Sequence, residues 1–255
     1  MNKTSGLTVA AVLCRRELIR FARQPMRIAA AIGTPVLLWM FMASGFARSI
    51  RPEQLGDINY PAFLLPGVMT LVAVFAAIFS SISLIEDRRD GWLQSVLVSP
   101  SPRWAIALGK IVGGALVAWI QAAALILTIP LLGIDVAFGN ILLTLFALGL
   151  TCFAMTAMGI AFAWRSETTA GFHAVMNLLF LPMWMLSGAF FPAQGTAGWM
   201  SILMQVNPLT WCTQSIRNPI LDQSAAFPIM LTILFAGAMM GVATFIIARP
   251  NRRAS

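Results

Sequence analysis

Of the 255 residues, 59% are hydrophobic and only 10% are charged, against roughly a quarter charged in a soluble domain. Such a surface faces lipid, which excludes a soluble enzyme. The formal charge of +8 does not indicate nucleic acid, because the basic residues sit at the ends of apolar runs, where they orient a chain in a membrane.

Residues 1–27 precede the first apolar run. Leu7, Ala11, Cys14, Leu18 and Phe21 recur in steps of four and three, while Arg15, Arg16, Glu17, Arg20 and Arg23 fill other faces. This spacing predicts an amphipathic helix lying in the inner headgroup layer. Pro25 should end or bend it. The arginines leave no apolar core for a cleavable signal peptide.

A membrane-crossing helix needs roughly 20 apolar residues. Six runs qualify: 28–47, 62–85, 104–134, 136–164, 169–191 and 227–248. The expectation is an all-α polytopic membrane protein, a single domain over 1–255 made of an interfacial helix at 1–27, a six-helix membrane part at 28–248 and a tail at 249–255. With both ends inside, 14 of the 17 Lys and Arg lie on the inner side, and Arg48, Arg51 and Arg217 lie outside. That asymmetry predicts a bacterial cell inner-membrane protein, multi-pass, with both termini cytoplasmic.

Two connections are unusual. The inner loop 86–103 opens with Glu86, Asp87, Arg88, Arg89 and Asp90, turns at Gly91, and continues with Trp92, Leu93, Val96 and Leu97 at helical spacing before Ser99-Pro100-Ser101-Pro102. It reads as a structured amphipathic element. The outer segment 191–226 is rich in Trp, Met, Leu and Ile and contains Pro192, Pro208 and Pro219. It reads as one or two short helices that dip into the outer leaflet and return, a candidate exit gate.

Chemistry is sparse. The only histidine, His173, lies 14 residues before Ser187 on one expected helix, roughly 21 Å along its axis, too far for direct proton transfer. Cys14, Cys152 and Cys212 fall on separate segments with no metal or CxxC spacing. No phosphate-binding loop is present. Lys110 is about two turns inside its span and can snorkel to the interface. Gln121 and Asn177 are polar but cannot titrate. The reading therefore contains no catalytic residue, no metal ligand and no cofactor site, and energy for moving a solute must arrive from outside the chain. Gly109-xxx-Gly113 and Gly237-xxx-Gly241 place small residues on helix faces suited to close packing.

Three stretches together carry a resemblance. Glu86-Asp87-Arg88-Arg89-Asp90-Gly91, followed by Leu97-Val98-Ser99-Pro100 and Gly109-Lys110, is the first. The second is Leu186-Ser187-Gly188-Ala189-Phe190-Phe191-Pro192. The third is Asn207-Pro208-Leu209-Thr210-Trp211 with Arg217. In order and placement they resemble the permease subunit of ABC-2 type transporters, with Arg89 where many relatives have Glu and Gln214 where many have Asp.

The resemblance implies an exporter permease without its own ATP site. ATP and Mg would be held by an ABC ATP-binding subunit, present in two copies. A second permease subunit would complete the path, a homodimer being favoured over a pair of related chains. The N-terminal helix (Arg15, Arg16, Leu18, Arg20, Phe21) and the first inner loop (Glu86, Asp87, Arg88, Arg89, Gly91, Trp92, Leu93, Leu97) would dock the ATPase. The outer gate would use Pro192, Asn207, Pro208, Thr210, Trp211 and Arg217. The uncharged aromatic and aliphatic spans favour an amphiphilic, lipid-linked or hydrophobic substrate. A non-transport scaffold coupled to an ATPase, an intramembrane enzyme and an ion-coupled carrier are the competing readings.

Overall fold

The computed structural model describes residues 6–46, 58–98, 102–190 and 196–248. Among the described residues every regular element is helical. In chain order they are α1 (Gly6–Ala22), α2 (Pro25–Phe46), α3 (Tyr60–Arg89), α4 (Trp92–Val98) and α5 (Arg103–Ala123). Then follow α6 (Phe138–Arg165), α7 (Thr169–Met185), α8 (Gly198–Val206), α9 (Pro208–Ile220) and α10 (Ala226–Ala248).

The central element is α3. Asn59 caps its start, the side chain accepting a hydrogen bond from the Ala62 N–H at 2.9 Å, and Pro61 occupies the first turn, where a missing N–H costs nothing. Helix α3 is buried along most of its length by α2, α5, α6, α7 and α9. Gly91, at φ 74°, reverses the chain after it, a conformation that costs glycine little.

Among the described residues, five helices are long and apolar enough to cross a membrane: α2, α3, α5 with its continuation, α6 and α10. After Ala123 the α5 ladder tightens into 3₁₀ turns, Ala124–Thr128 and Pro130–Leu132, and Pro130, without an N–H, leaves the Ile126 carbonyl no α-helical donor. The expected span 169–191 forms a helix only as far as Met185, 17 residues. That is roughly 26 Å at 1.5 Å per residue, short of the roughly 30 Å hydrocarbon core. Residues 186–190 form turns, with Gly188 at φ 72°. The segment expected as one or two short outer helices is α8 and α9, and the Thr and Ser side chains of α9 are buried against the bundle.

The N-terminal helix packs on the bundle through Ala10, Leu13 and Glu17, while Leu7, Ala11, Val12 and Ile19 point away from it. The face is chosen by the packing partner, because α1 lies directly on α5 over the two glycines of Gly109-xxx-Gly113. A Cβ at Gly109 would sit 2.7 Å from the Ala10 carbonyl oxygen, and one at Gly113 would sit 2.9 Å from Glu17 Cβ. Only small residues allow two backbones this close.

Candidate functional site: an ionic junction and a guanidinium clasp

At the end of the bundle where α3 terminates, α1, α3 and α5 bring three acids and three bases together. Lys110, 2% exposed, places its Nζ between Glu17 Oε1 and Asp87 Oδ2. Asp87 also accepts from Arg16 Nη2 at 2.9 Å and from Arg20 Nη1 at 2.9 Å. Arg20 Nη2 donates to Glu86 Oε2 at 2.6 Å, and the Ser83 hydroxyl donates to Glu17 at 3.1 Å. The hydrogen bond that Arg16 donates to Asp87 is the main reason its guanidinium is held above its ordinary pKa. Charges this deep persist only when paired and hydrogen-bonded, and here each acid faces a base.

This corrects the snorkelling expectation for Lys110. The lysine does not reach outward, because two carboxylates meet it from neighbouring helices.

The short helix α4 closes over the junction. The Arg16 guanidinium lies 3.5 Å from the Trp92 ring centroid, a cation–π contact, and Leu93 is buried in the main apolar core. The apolar side of α4 is therefore turned into the chain itself. Val98, 87% exposed, together with Gln94 and Ser95, faces outward. The side chain of Leu97 lies outside the described residues. Arg88 does not join the junction. It donates to the Trp164 and Ser166 carbonyls at 2.8 and 3.1 Å, satisfying the open end of α6. Arg89 and Asp90 are exposed, as is Arg15, whereas Leu18 and Phe21 are half-buried.

At the opposite end, α9 is held to α7 by its first residues. Asn207 caps α9 by accepting from the Leu209 N–H at 3.0 Å, and its amide donates to the Met183 carbonyl. Thr210 donates to the Leu186 carbonyl at 3.3 Å, and Pro208 occupies the first helical position. Trp211 bonds back to the Gln205 carbonyl at 2.9 Å. Thr213 reaches both Thr70 and Ser187, so the Ser187 hydroxyl belongs to a structural network. Pro192 lies outside the described residues.

Arg217 is the centre of this end. It is 8% exposed, it faces no carboxylate among the described residues, and its Nη2 donates to the Gly188 carbonyl at 2.8 Å and the Phe63 carbonyl at 3.3 Å. Its guanidinium lies 4.0 Å from the Phe63 ring centroid. One nitrogen, Nη2, thus ties α9 to α3 and to the turn after α7 while the planar guanidinium lies over Phe63, a stacking that a lysine ammonium does not reproduce. Arg217→Lys should lower thermal stability in detergent by about 1–3 kcal/mol, the cost of leaving buried carbonyls unsatisfied. A midpoint equal to the parent's would mean the clasp is unimportant.

Sequence reading missed Glu17 and Lys110 as a pair. The available signal was a lysine inside an apolar run, which requires a carboxylate partner, and a glutamate seven residues after Ala10 on the same helical face. Arg217 was recognised, but as an outer-loop cation rather than a buried one.

Comparison with known proteins identifies relatives of the chain. Residues 8–221 match the ABC-2 type transporter family. A putative transport permease, ycf38, of Cyanophora paradoxa is 29% identical over 210 residues, 81% of this chain and 72% of the relative. The probable multidrug ABC transporter permease YbhR of Escherichia coli strain K12 is 25% identical over 164 residues, 64% of this chain and 44% of the relative. The inner membrane transport permease YhhJ of the same strain is 27% identical over 187 residues, 71% of this chain and 50% of the relative. The alignments span about half the length of these two Escherichia coli relatives. With the match covering most of the chain and several membrane-length helices in place, the chain belongs to the ABC-2 type transporter family, as a multi-pass permease.

Proposed function

We propose that this chain is the permease subunit of an ATP-driven exporter in a bacterial inner membrane. Both termini are cytoplasmic in this reading, which the asymmetry of 14 against 3 basic residues supports. The chain supplies no ATP chemistry. ATP and Mg are bound by two copies of a separate ABC ATP-binding subunit, and two copies of this chain form the path. Helix α1 lies in the inner headgroup layer, its outward Leu7, Val12 and Ile19 in lipid. Helix α7 with its following turns serves as a short sixth span, and α8 and α9 form a re-entrant outer gate. The apolar spans favour an amphiphilic, lipid-linked or hydrophobic substrate.

One observation carries the coupling part of this reading. The ionic junction ties the α3–α4 turn to α1 and α5, so a push on α4 is delivered to two spans and the interfacial helix together. Because Leu93 is used inside the chain, the ATPase contact falls on the outward side of α4. Val98→Asp should weaken capture of the ATPase roughly tenfold, about 1.4 kcal/mol, without lowering thermal stability. Equal capture would remove α4 from the docking surface.

Reconstitution in proteoliposomes with the ATP-binding subunit tests the whole. The expected result is ATP-dependent movement of a fluorescent lipid-linked probe. ATP hydrolysis that responds to the permease, with no movement of any amphiphilic probe, would favour the non-transport scaffold.

A further inference from the structure

A cleft opens beside the ionic junction, between α1, α2, α3 and α5. Glu17, Arg20 and Gln24 line its polar end, Ala31, Phe79 and Val117 its walls, and Gln121 is also part of its lining. Gln121 lies seven residues beyond Gly114 on α5, roughly 10 Å further along the helix. The side chain of Gln121 is 3% exposed. Its Nε2 donates to the Val117 carbonyl at 3.0 Å, whereas its Oε1 is buried without a hydrogen-bond partner. An unpaired carbonyl at this depth costs about 1–3 kcal/mol, and native structures pair the great majority of such atoms with protein or ordered water.

The space is about 30 Å³, enough for roughly two waters and too little for a lipid headgroup. The polar partners that a buried water needs are present: the orphaned Gln121 Oε1, the Ser80 and Ser83 side chains, and Glu17 at the junction. At Gly114 the α5 backbone packs closely on its neighbours, since a Cβ there would lie 2.9 Å from Ser80 Cβ and 2.8 Å from Thr156 Cγ2.

We propose that this cleft is a built water site, in which one or two bound waters satisfy Gln121 and extend hydration from the charged junction into the membrane span. The site is a property of one chain and does not depend on the transported substrate. Hydrogen-bonding capacity then reaches from Lys110 along α5 to Gln121, beside the seam between α1 and α2.

Radiolytic hydroxyl-radical footprinting of the intact protein in nanodiscs tests this, because the radical forms from the bound water itself. Val117 and Ile82 are both 6% exposed, and only Val117 lines the cleft. Val117 should be oxidised at least about fivefold faster than Ile82, and Gln121→Met should bring it down to the Ile82 rate. Equal rates for the two residues in the parent would overturn the water site. A fast Val117 that Gln121→Met leaves unchanged would overturn the assignment of Gln121 as its anchor.

Discussion

Replacing Lys110 with Met should be among the most damaging single changes in this protein. The side chain volume is nearly kept, but Glu17 and Asp87 lose the ammonium that lies between them. The junction then holds three acids against two bases, with Glu17 and Asp87 both buried. Breaking a buried ion pair by removing one partner costs about 3–5 kcal/mol, which for a chain of this size is on the order of 10 °C in the thermal midpoint. Lys110→Met combined with Glu17→Gln restores the balance of charge and should recover most of that loss. Thermal unfolding of the three variants in one detergent decides the matter. A single variant as stable as the parent, or a double variant worse than the single one, would show that the pairing does not hold the junction.

Gly109→Val should release α1 from α5. The first added carbon would already lie 2.7 Å from the Ala10 carbonyl oxygen and 3.0 Å from its Cα, so backbone must move rather than a flexible side chain. Overpacking of this kind costs about 1–3 kcal/mol, and moving α1 also withdraws Glu17, Arg16 and Arg20 from Asp87 and Lys110. Limited trypsin digestion after Arg15 and Arg16 reads this directly. Cleavage should accelerate at least about tenfold over the parent, whereas Gly237→Val, where the structure has open space around the glycine, should leave the rate unchanged. Parent-like cleavage of Gly109→Val would mean that α1 is not seated by this seam.

Much of the fold was legible because a bilayer imposes a single strong rule: backbone polar groups must be paired within each crossing segment. The apolar runs therefore mark α2, α3, α5, α6 and α10 within a few residues. The turn at Gly91 and the cap at Asn207 follow from local chemistry that glycine and asparagine display on their own, whereas the 3₁₀ turns after Ala123 fall inside a run that reads as one continuous span. The short α7 was less legible, since its residues up to Phe190 are as apolar as those of a full span and only the left-handed Gly188 reveals the turn.

The sequence by itself determined that the chain is helical and multi-pass, and three of its motifs were enough to suggest the family. Hydropathy and charge are properties of each segment, readable without neighbours. Only the tertiary structure decided which side of α1 is buried, that Lys110 meets Glu17 and Asp87, that Leu93 turns inward, and that Arg217 clasps two carbonyls from other elements. Those facts concern pairs separated by tens of residues or more, such as Arg16 and Asp87 at 71 and Lys110 and Glu17 at 93. A buried charge needs its partner to exist, but which helix supplies that partner is set by packing, and packing here follows the small residues at Gly109 and Gly113.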